Sequence, residues 1–180
     1  TIERDGRTMS PAMQMILYIL EKRRITTDIE NIGAKKIRDF YDTTAGLLQK
    51  RPPRMKTIDH QIDLGDDQMR IREYIPKNFK ENDHSMLYFH GGGFSIGSIR
   101  THDPVCKFLS EMLGWKIFSV EYRLAPEHRF PVPLEDCDKS MDWLIENADQ
   151  FEIDINKIAV GGDSAGGNLA ACLCIKRIEE

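Results

Sequence analysis

Ser164 stands between Gly162 and Gly166 in the run Lys157-Ile158-Ala159-Val160-Gly161-Gly162-Asp163-Ser164-Ala165-Gly166-Gly167-Asn168. An apolar, strand-like stretch leads into the serine, and the helix-compatible Asn168-Leu169-Ala170-Ala171 follows it. A turn this sharp between strand and helix needs small residues on both sides, because the two backbones nearly touch. It pushes the hydroxyl out at the C-terminal edge of a sheet, under the positive end of the next helix. The chemistry open to such a serine is nucleophilic acyl transfer. That chemistry also needs a base for the hydroxyl proton and fixed N–H donors where negative charge develops on the attacked carbonyl. Glycine-bordered serines occur in plain flexible turns as well; the apolar strand before this one and the helix after it favour the nucleophile reading.

Candidate donors come from a second glycine run, His90-Gly91-Gly92-Gly93-Phe94. Three successive glycines can turn their amides into one cavity with no side chain in the way, and the Ala165 N–H at a helix start adds another. A glycine triplet alone describes any flexible loop. Its occurrence after one apolar strand, with Gly-Asp-Ser-Ala-Gly after a later one, is far more specific. For the base the sequence offers five histidines, His60, His84, His90, His102 and His128, all before Ser164. His60 reads as a strand residue, His84 as part of a polar loop and His102 as the neighbour of a helix cap, so none is assigned as the base.

The elements that must position these residues follow from periodicity. Ser10-Pro11 predicts a capped helix with Met13, Ile16, Leu17 and Leu20 on one side. A second helix after Asp28 carries Ile37, Phe40, Tyr41, Thr44, Leu47 and Leu48 as a stripe, and Arg51-Pro52-Pro53 ends it. From Met55 the period becomes two, with Ile58, His60, Ile62 and Leu64 on one face; after a turn at Gly65-Asp66-Asp67, Met69, Ile71 and Ile75 alternate with Arg70, Arg72 and Tyr74. This predicts a hairpin with one wet face. Ser85–Phe89 and Ile117–Val120 are short continuous apolar runs, as in strands buried on both faces. A helix introduced by Thr101-His102-Asp103-Pro104 lies between them. A long irregular crossover, 123–131, leads to a helix opened by Pro133 with Leu134, Cys137, Met141, Leu144 and Ile145 inward. Alternating strands and helices predict a right-handed α/β sheet.

Three motifs in this order resemble the hormone-sensitive-lipase family of α/β-hydrolase esterases: His90-Gly91-Gly92-Gly93-Phe94, Tyr122-Arg123-Leu124-Ala125-Pro126-Glu127-His128-Arg129-Phe130-Pro131 and Gly162-Asp163-Ser164-Ala165-Gly166-Gly167. The resemblance implies an α/β-hydrolase fold, a mostly parallel sheet between helical layers, with residues 1–54 as an N-terminal helical cap segment and 55–180 as the first part of the core. It implies hydrolysis of short- to medium-chain carboxylic esters through an acyl-enzyme, without metal or organic cofactor. Ser164 would be the nucleophile and the N–H groups of Gly92, Gly93 and Ala165 the oxyanion hole. His90, Gly91, Asp163, Glu127 and His128 would support the site. The family's acid and histidine follow the nucleophile after two and three further strands, whereas this sequence runs one helix past Ser164. The resemblance therefore implies a second half supplied in cis or by another chain, with a homo-oligomer as one arrangement. Without that half the strand before Ser164 becomes an edge, and Ile158, Ala159, Val160, Leu169, Ala170 and Leu173 are expected to lose their cover. The alternative is a non-catalytic small-molecule receptor on the same scaffold: the gibberellin receptors resemble this family, keep the glycine loop and serine, and lack the catalytic histidine.

Composition is compatible with this reading. Of 180 residues, 41% are hydrophobic and 30% charged, enough for one sizeable core and against disorder. A formal net charge of −4 and a pI near 5.8 give no reason to expect nucleic acid or an anionic membrane as partner. The basic clusters Lys22-Arg23-Arg24 and Lys35-Lys36 read as solvated helix faces. Cys106, Cys137, Cys172 and Cys174 have no metal-like or disulfide-like spacing and read as small hydrophobes in a reducing compartment. With no membrane-length apolar run and no recognisable signal peptide, the expected location is cytoplasmic.

Overall fold

The computed structural model describes residues 3–4, 7–22, 33–45, 51–65, 67–81 and 83–179. Arg23, Arg24, Asp28, Leu47 and Leu48, assigned above to the N-terminal helices, lie outside them. The chain divides into two compact units, Thr1–Leu48 and Gln49–Glu180.

In the first unit, β1 (Glu3–Arg4) pairs antiparallel with β2 (Arg7–Thr8), and α1 (Pro11–Lys22) and α2 (Ala34–Thr44) follow. The expected cap of α1 is present: Ser10 Oγ accepts from the Met13 N–H at 3.3 Å. Along α2, Ile37, Phe40, Tyr41 and Thr44 are each half-buried.

The second unit holds β3 (Lys56–Asp63), β4 (Gln68–Ile75), β5 (Asp83–Phe89), α3 (Ile99–Leu113), β6 (Lys116–Val120), α4 (Val132–Glu146), β7 (Ile153–Gly162) and α5 (Ala165–Glu179). Its strands form one sheet in the order β3-β4-β6-β5-β7. The β3–β4 hairpin and the β4–β6 pair are antiparallel; β5 runs parallel to both β6 and β7. Strand alternation then decides the layers. Met69, Ile71, Leu87, Phe89, Phe118 and Val120 point to one face, where Cys137 and Leu144 of α4 and Leu169 and Leu173 of α5 complete the main core. Tyr74, Tyr88 and Ile117 point to the other, with Cys106 of α3. All five residues of β6 are buried, Ile117 to Val120 as their apolar run predicts and Lys116 in addition.

Several expectations change, the simplest being Ile145, which was expected to face inward along α4 and is 40% exposed. The hairpin keeps its wet face along Thr57, Asp59, Gln61 and Asp63 and at half-buried Arg70 and Arg72, but α3 covers that face at Tyr74, which is fully buried with Cys106; Glu73, on the opposite face, is buried too. Helix α3 begins before the Thr-His-Asp-Pro run, because Ser98 and Thr101 form a reciprocal capping box. Pro104 therefore falls inside the helix, where it removes a single backbone donor near the start. Finally, β7 is the sheet edge and Ile158, Ala159 and Val160 are only half-buried, but Leu169, Ala170 and Leu173 do not lose their cover. They face β5, β7 and α4, while Ile175 and Ile178 carry the exposed side of α5. Ion pairs of Asp138 with Lys176 and Arg177 tie α4 to α5.

Candidate active site

β5 and β7 are parallel neighbours, so their C-terminal ends emerge side by side and the turns leaving them meet. The strand β7 ends at Gly162 and α5 starts at Ala165, which leaves Asp163 and Ser164 to reverse the chain. Ser164 has φ 52°, a left-handed conformation that costs a non-glycine residue energy, and its side chain is exposed. The turn is closed by Gly166 N–H to the Asp163 carbonyl at 2.8 Å and Asn168 N–H to the Ser164 carbonyl at 3.1 Å. A methyl group on Gly166 would run into the backbone carbonyls of Phe89 and His90, so glycine here is a condition of the elbow's contact with β5.

The chain leaving β5 is equally constrained. Gly92, Gly93 and Phe94 have φ 131°, 59° and 60° in succession, and the Gly92 carbonyl accepts from the amides of Ser95 and Ile96 at 3.1 and 3.0 Å. The loop and the elbow are joined by one carboxylate. Asp163 Oδ1 accepts from the Gly91 amide at 2.9 Å and the Tyr88 hydroxyl at 2.8 Å, and lies 3.3 Å from His102 Nε2. A side chain on Gly91 would collide with that carboxylate. Burial works against the charge on Asp163, but the Tyr88 hydroxyl, His102 and the Gly91 amide outweigh it and hold the acid below its ordinary value.

His90 is wholly buried, with its ring stacked on Tyr122 at 4.3 Å, and its carbonyl accepts the Tyr122 hydroxyl at 2.6 Å. Its Nδ1 lies 2.9 Å from the Gly91 carbonyl, which can only accept, so Nδ1 carries the proton. Nε2 is then a bare acceptor with no partner among the described residues. Burial pushes the ring's pKa down to about 4, so it is neutral near pH 7.

The predicted site residues thus separate into two sets. His90, Gly91, Asp163 and Ser164 are brought together, with Ala165 buried at the start of α5 and Gly92 and Gly93 continuing the bonded loop. Glu127 and His128 lie on the crossover between β6 and α4. That crossover reaches the glycine loop through its backbone, Ala125 N–H to the Phe94 carbonyl at 2.8 Å, and the His128 N–H bonds the Leu124 carbonyl. Among the described residues no histidine has a hydrogen bond to Ser164: His60 pairs with Glu73, and His84 stacks on Trp115. Sequence reasoning missed Tyr88 and His102 as partners of Asp163, and buried Asp136, whose carboxylate pins Arg123 of the crossover at 2.6 Å. A polar residue inside an apolar strand was the available signal for Tyr88; nothing local marks the other two.

Beside the loop lies a groove of about 260 Å³, walled by Gly93, Phe94, Ala125, Phe130, Leu134 and Leu169, with Arg129, Asn168 and Cys172 also in its lining. Its walls suit an apolar ligand portion. Among the described residues no three histidine, cysteine or acidic side chains are gathered as a metal site requires, and no helix is long and apolar enough to cross a membrane.

Known proteins share this fold. The family described as alpha/beta hydrolase fold matches residues 86–180. An arylesterase of Saccharolobus solfataricus is 35% identical over 91% of this chain and 53% of its own length. The carboxylesterase NlhH of Mycobacterium tuberculosis is 32% identical over 92% of this chain and 50% of its own length. Among solved structures, that of EstE1, a thermophilic carboxylesterase from a metagenomic library, superposes with a TM-score of 0.78 at 39% identity, covering 82% of this chain and 51% of that one. An arylesterase structure gives 0.83 at 33% identity, over 96% and 56%. The chain spans about half the length of the relatives it matches.

Proposed function

The chain belongs to the α/β-hydrolase family, in its hormone-sensitive-lipase-like esterase branch, and we propose that it carries the nucleophile and oxyanion-binding half of a serine carboxylester hydrolase. The observation that carries this reading is the shared carboxylate: Asp163, next to Ser164 in the chain, holds the Gly91 amide and so couples the glycine loop to the turn that presents the hydroxyl. Ser164 Oγ attacks the ester carbonyl, and the amides of Gly92, Gly93 and Ala165 receive the charge that develops on its oxygen. Collapse of the tetrahedral adduct expels the alcohol and leaves the acyl group on Ser164, from which water releases the acid. The base that takes the Ser164 proton, and the acid that orients it, belong in this reading to sequence beyond residue 180. The groove supports short- to medium-chain acyl or alcohol groups, and residues 1–54 act as a cap segment. The free cysteines fit a reducing, cytoplasmic setting.

A fluorophosphonate probe tests the assignment in the full-length protein. We expect covalent labelling that disappears in Ser164→Ala; labelling unchanged by that substitution overturns it. A ligand-binding protein on the same scaffold would bind esters without releasing alcohol.

A further inference from the structure

The third partner of the Asp163 carboxylate comes from neither the glycine loop nor β5. His102 sits early in α3, 7% exposed, with Nε2 3.3 Å from Asp163 Oδ1, whereas the side chain of Asp163 is half exposed. The more deeply buried member of the pair is therefore the histidine. On its far side, Nδ1 lies 2.9 Å from Thr101 Oγ1, and that hydroxyl is also 2.9 Å from the Ser98 carbonyl. Counting protons leaves two arrangements. With a neutral ring, Nε2–H donates to Asp163 and the Thr101 hydroxyl turns its hydrogen to Nδ1. With a charged ring, both nitrogens donate and the Thr101 hydrogen returns to the Ser98 carbonyl. In either arrangement Nε2 donates to Asp163, so the bond survives a change in the ring's charge.

Given the esterase reading above, we propose that His102 is a positioning residue for ester hydrolysis. It fixes the Asp163 carboxylate, which fixes the Gly91 amide, which sets where the next two amides of the loop stand relative to Ser164. The oxyanion is bound by donors that must lie within a few tenths of an ångström of their required distance, so an error at Gly91 is felt in the transition state more than in the bound ester. Because His102 acts through one intermediary, its removal costs less than the roughly 10²- to 10³-fold lost with a donor itself.

The test compares three variants of the full-length protein with a p-nitrophenyl ester as substrate and a trifluoromethyl ketone as mimic of the tetrahedral adduct. His102→Leu fills the space without a donor, His102→Asn is too short to reach Asp163, and His102→Gln places an N–H where Nε2 stood. We expect kcat about tenfold lower in the Leu and Asn variants, KM within about twofold, and the ketone's inhibition constant raised by the same factor as kcat falls. We expect His102→Gln to return to within about threefold of wild type. Two variants lacking the donor keep the comparison intact if one of them does not fold. Equal impairment of Gln and Asn, or a change confined to KM, overturns the inference, as does wild-type kcat in a donor-less variant. A wild-type protein that neither hydrolyses the ester nor takes the fluorophosphonate overturns the esterase reading, and this inference with it.

Discussion

Among the described residues three histidines lie against a carboxylate: exposed His84 beside Asp83, its neighbour in sequence, and two joined across the fold, which lie at opposite ends of the parallel strands. At the C-terminal ends of β5 and β7, His102 meets Asp163 at 3.3 Å. Around the start of β6, His60 meets Glu73 at 3.1 Å, and Lys116 meets the same carboxylate at 3.1 Å while donating to the Phe151 carbonyl at 2.7 Å. Burial does not distinguish them in favour of function: Glu73 and Lys116 are 3% and 5% exposed, more deeply placed than the Asp163 side chain. Backbone geometry does. Glu73 and Lys116 lie in regular strands, with every charge answered by another or by a carbonyl and the His60 ring packed against Trp143 and Phe151. At the other end Ser164, Gly92, Gly93 and Phe94 all have positive φ, and an exposed hydroxyl stands beside a glycine loop. Buried ionisable clusters are thus a poor marker of chemistry by themselves, and so is a lone left-handed residue, since Glu152 at φ 55° borders the Glu73 cluster; an exposed hydroxyl held in such a turn beside a glycine loop is the better one.

The sharpest way to break this contrast is to remove the nucleophile. Ser164→Ala is expected to lower kcat/KM by about 10⁴-fold or more, since residues of such a site act as a unit, with a thermal midpoint close to wild type because the side chain is exposed. The opposite signature is expected from Glu73→Ala: about 3–5 kcal/mol of unfolding free energy lost, because a buried lysine is left unpaired, and kcat per folded molecule unchanged. Urea titration and active-site counting read the two quantities separately, and a Glu73→Ala enzyme that is stable but slow would collapse the distinction. Gly91→Ala falls between them. Its methyl group must displace the Asp163 carboxylate, so kcat is expected to drop by about 10²-fold with little change in KM.

The last effect concerns pH. His90 titrates near 4 when folded, against about 6.5 in an unfolded chain, so the unfolded state binds the extra proton first. The stability this contributes is complete above pH 6.5 and is lost as the pH falls toward 4, on the order of 3 kcal/mol in all. Urea midpoints measured across that window should fall accordingly, and the slope should flatten in His90→Gln. A midpoint independent of pH between 6.5 and 4 would contradict the buried, neutral ring.

Much of this was legible in the chain. The period-two stretch from Met55 and the apolar runs at Ser85–Phe89 and Ile117–Val120 became β3, β5 and β6 because alternation and continuous apolarity answer directly to one-sided and two-sided burial. The elbow was legible for the same kind of reason: its glycines are required by contacts within a few residues of Ser164 and with the strand beside it. The wet face expected for β4 is interrupted at Tyr74, since whether that ring is covered depends on Cys106 of α3, more than thirty residues away in sequence, packing across it. Leu169, Ala170 and Leu173 were misjudged because their cover comes from α4 and from the inner face of the sheet, and is indifferent to β7 being an edge.

By itself, then, the sequence determined which turns are glycine-bordered, which strands are apolar throughout and where a serine stands in a sharp strand-to-helix turn, all read from patterns that span a few residues. Only the tertiary structure decided that His102, Tyr88 and Gly91 converge on the carboxylate of Asp163. Those contacts span 61 to 75 positions of chain, and they exist because β5 and β7 are neighbours and α3 lies across the face from which Tyr88 projects.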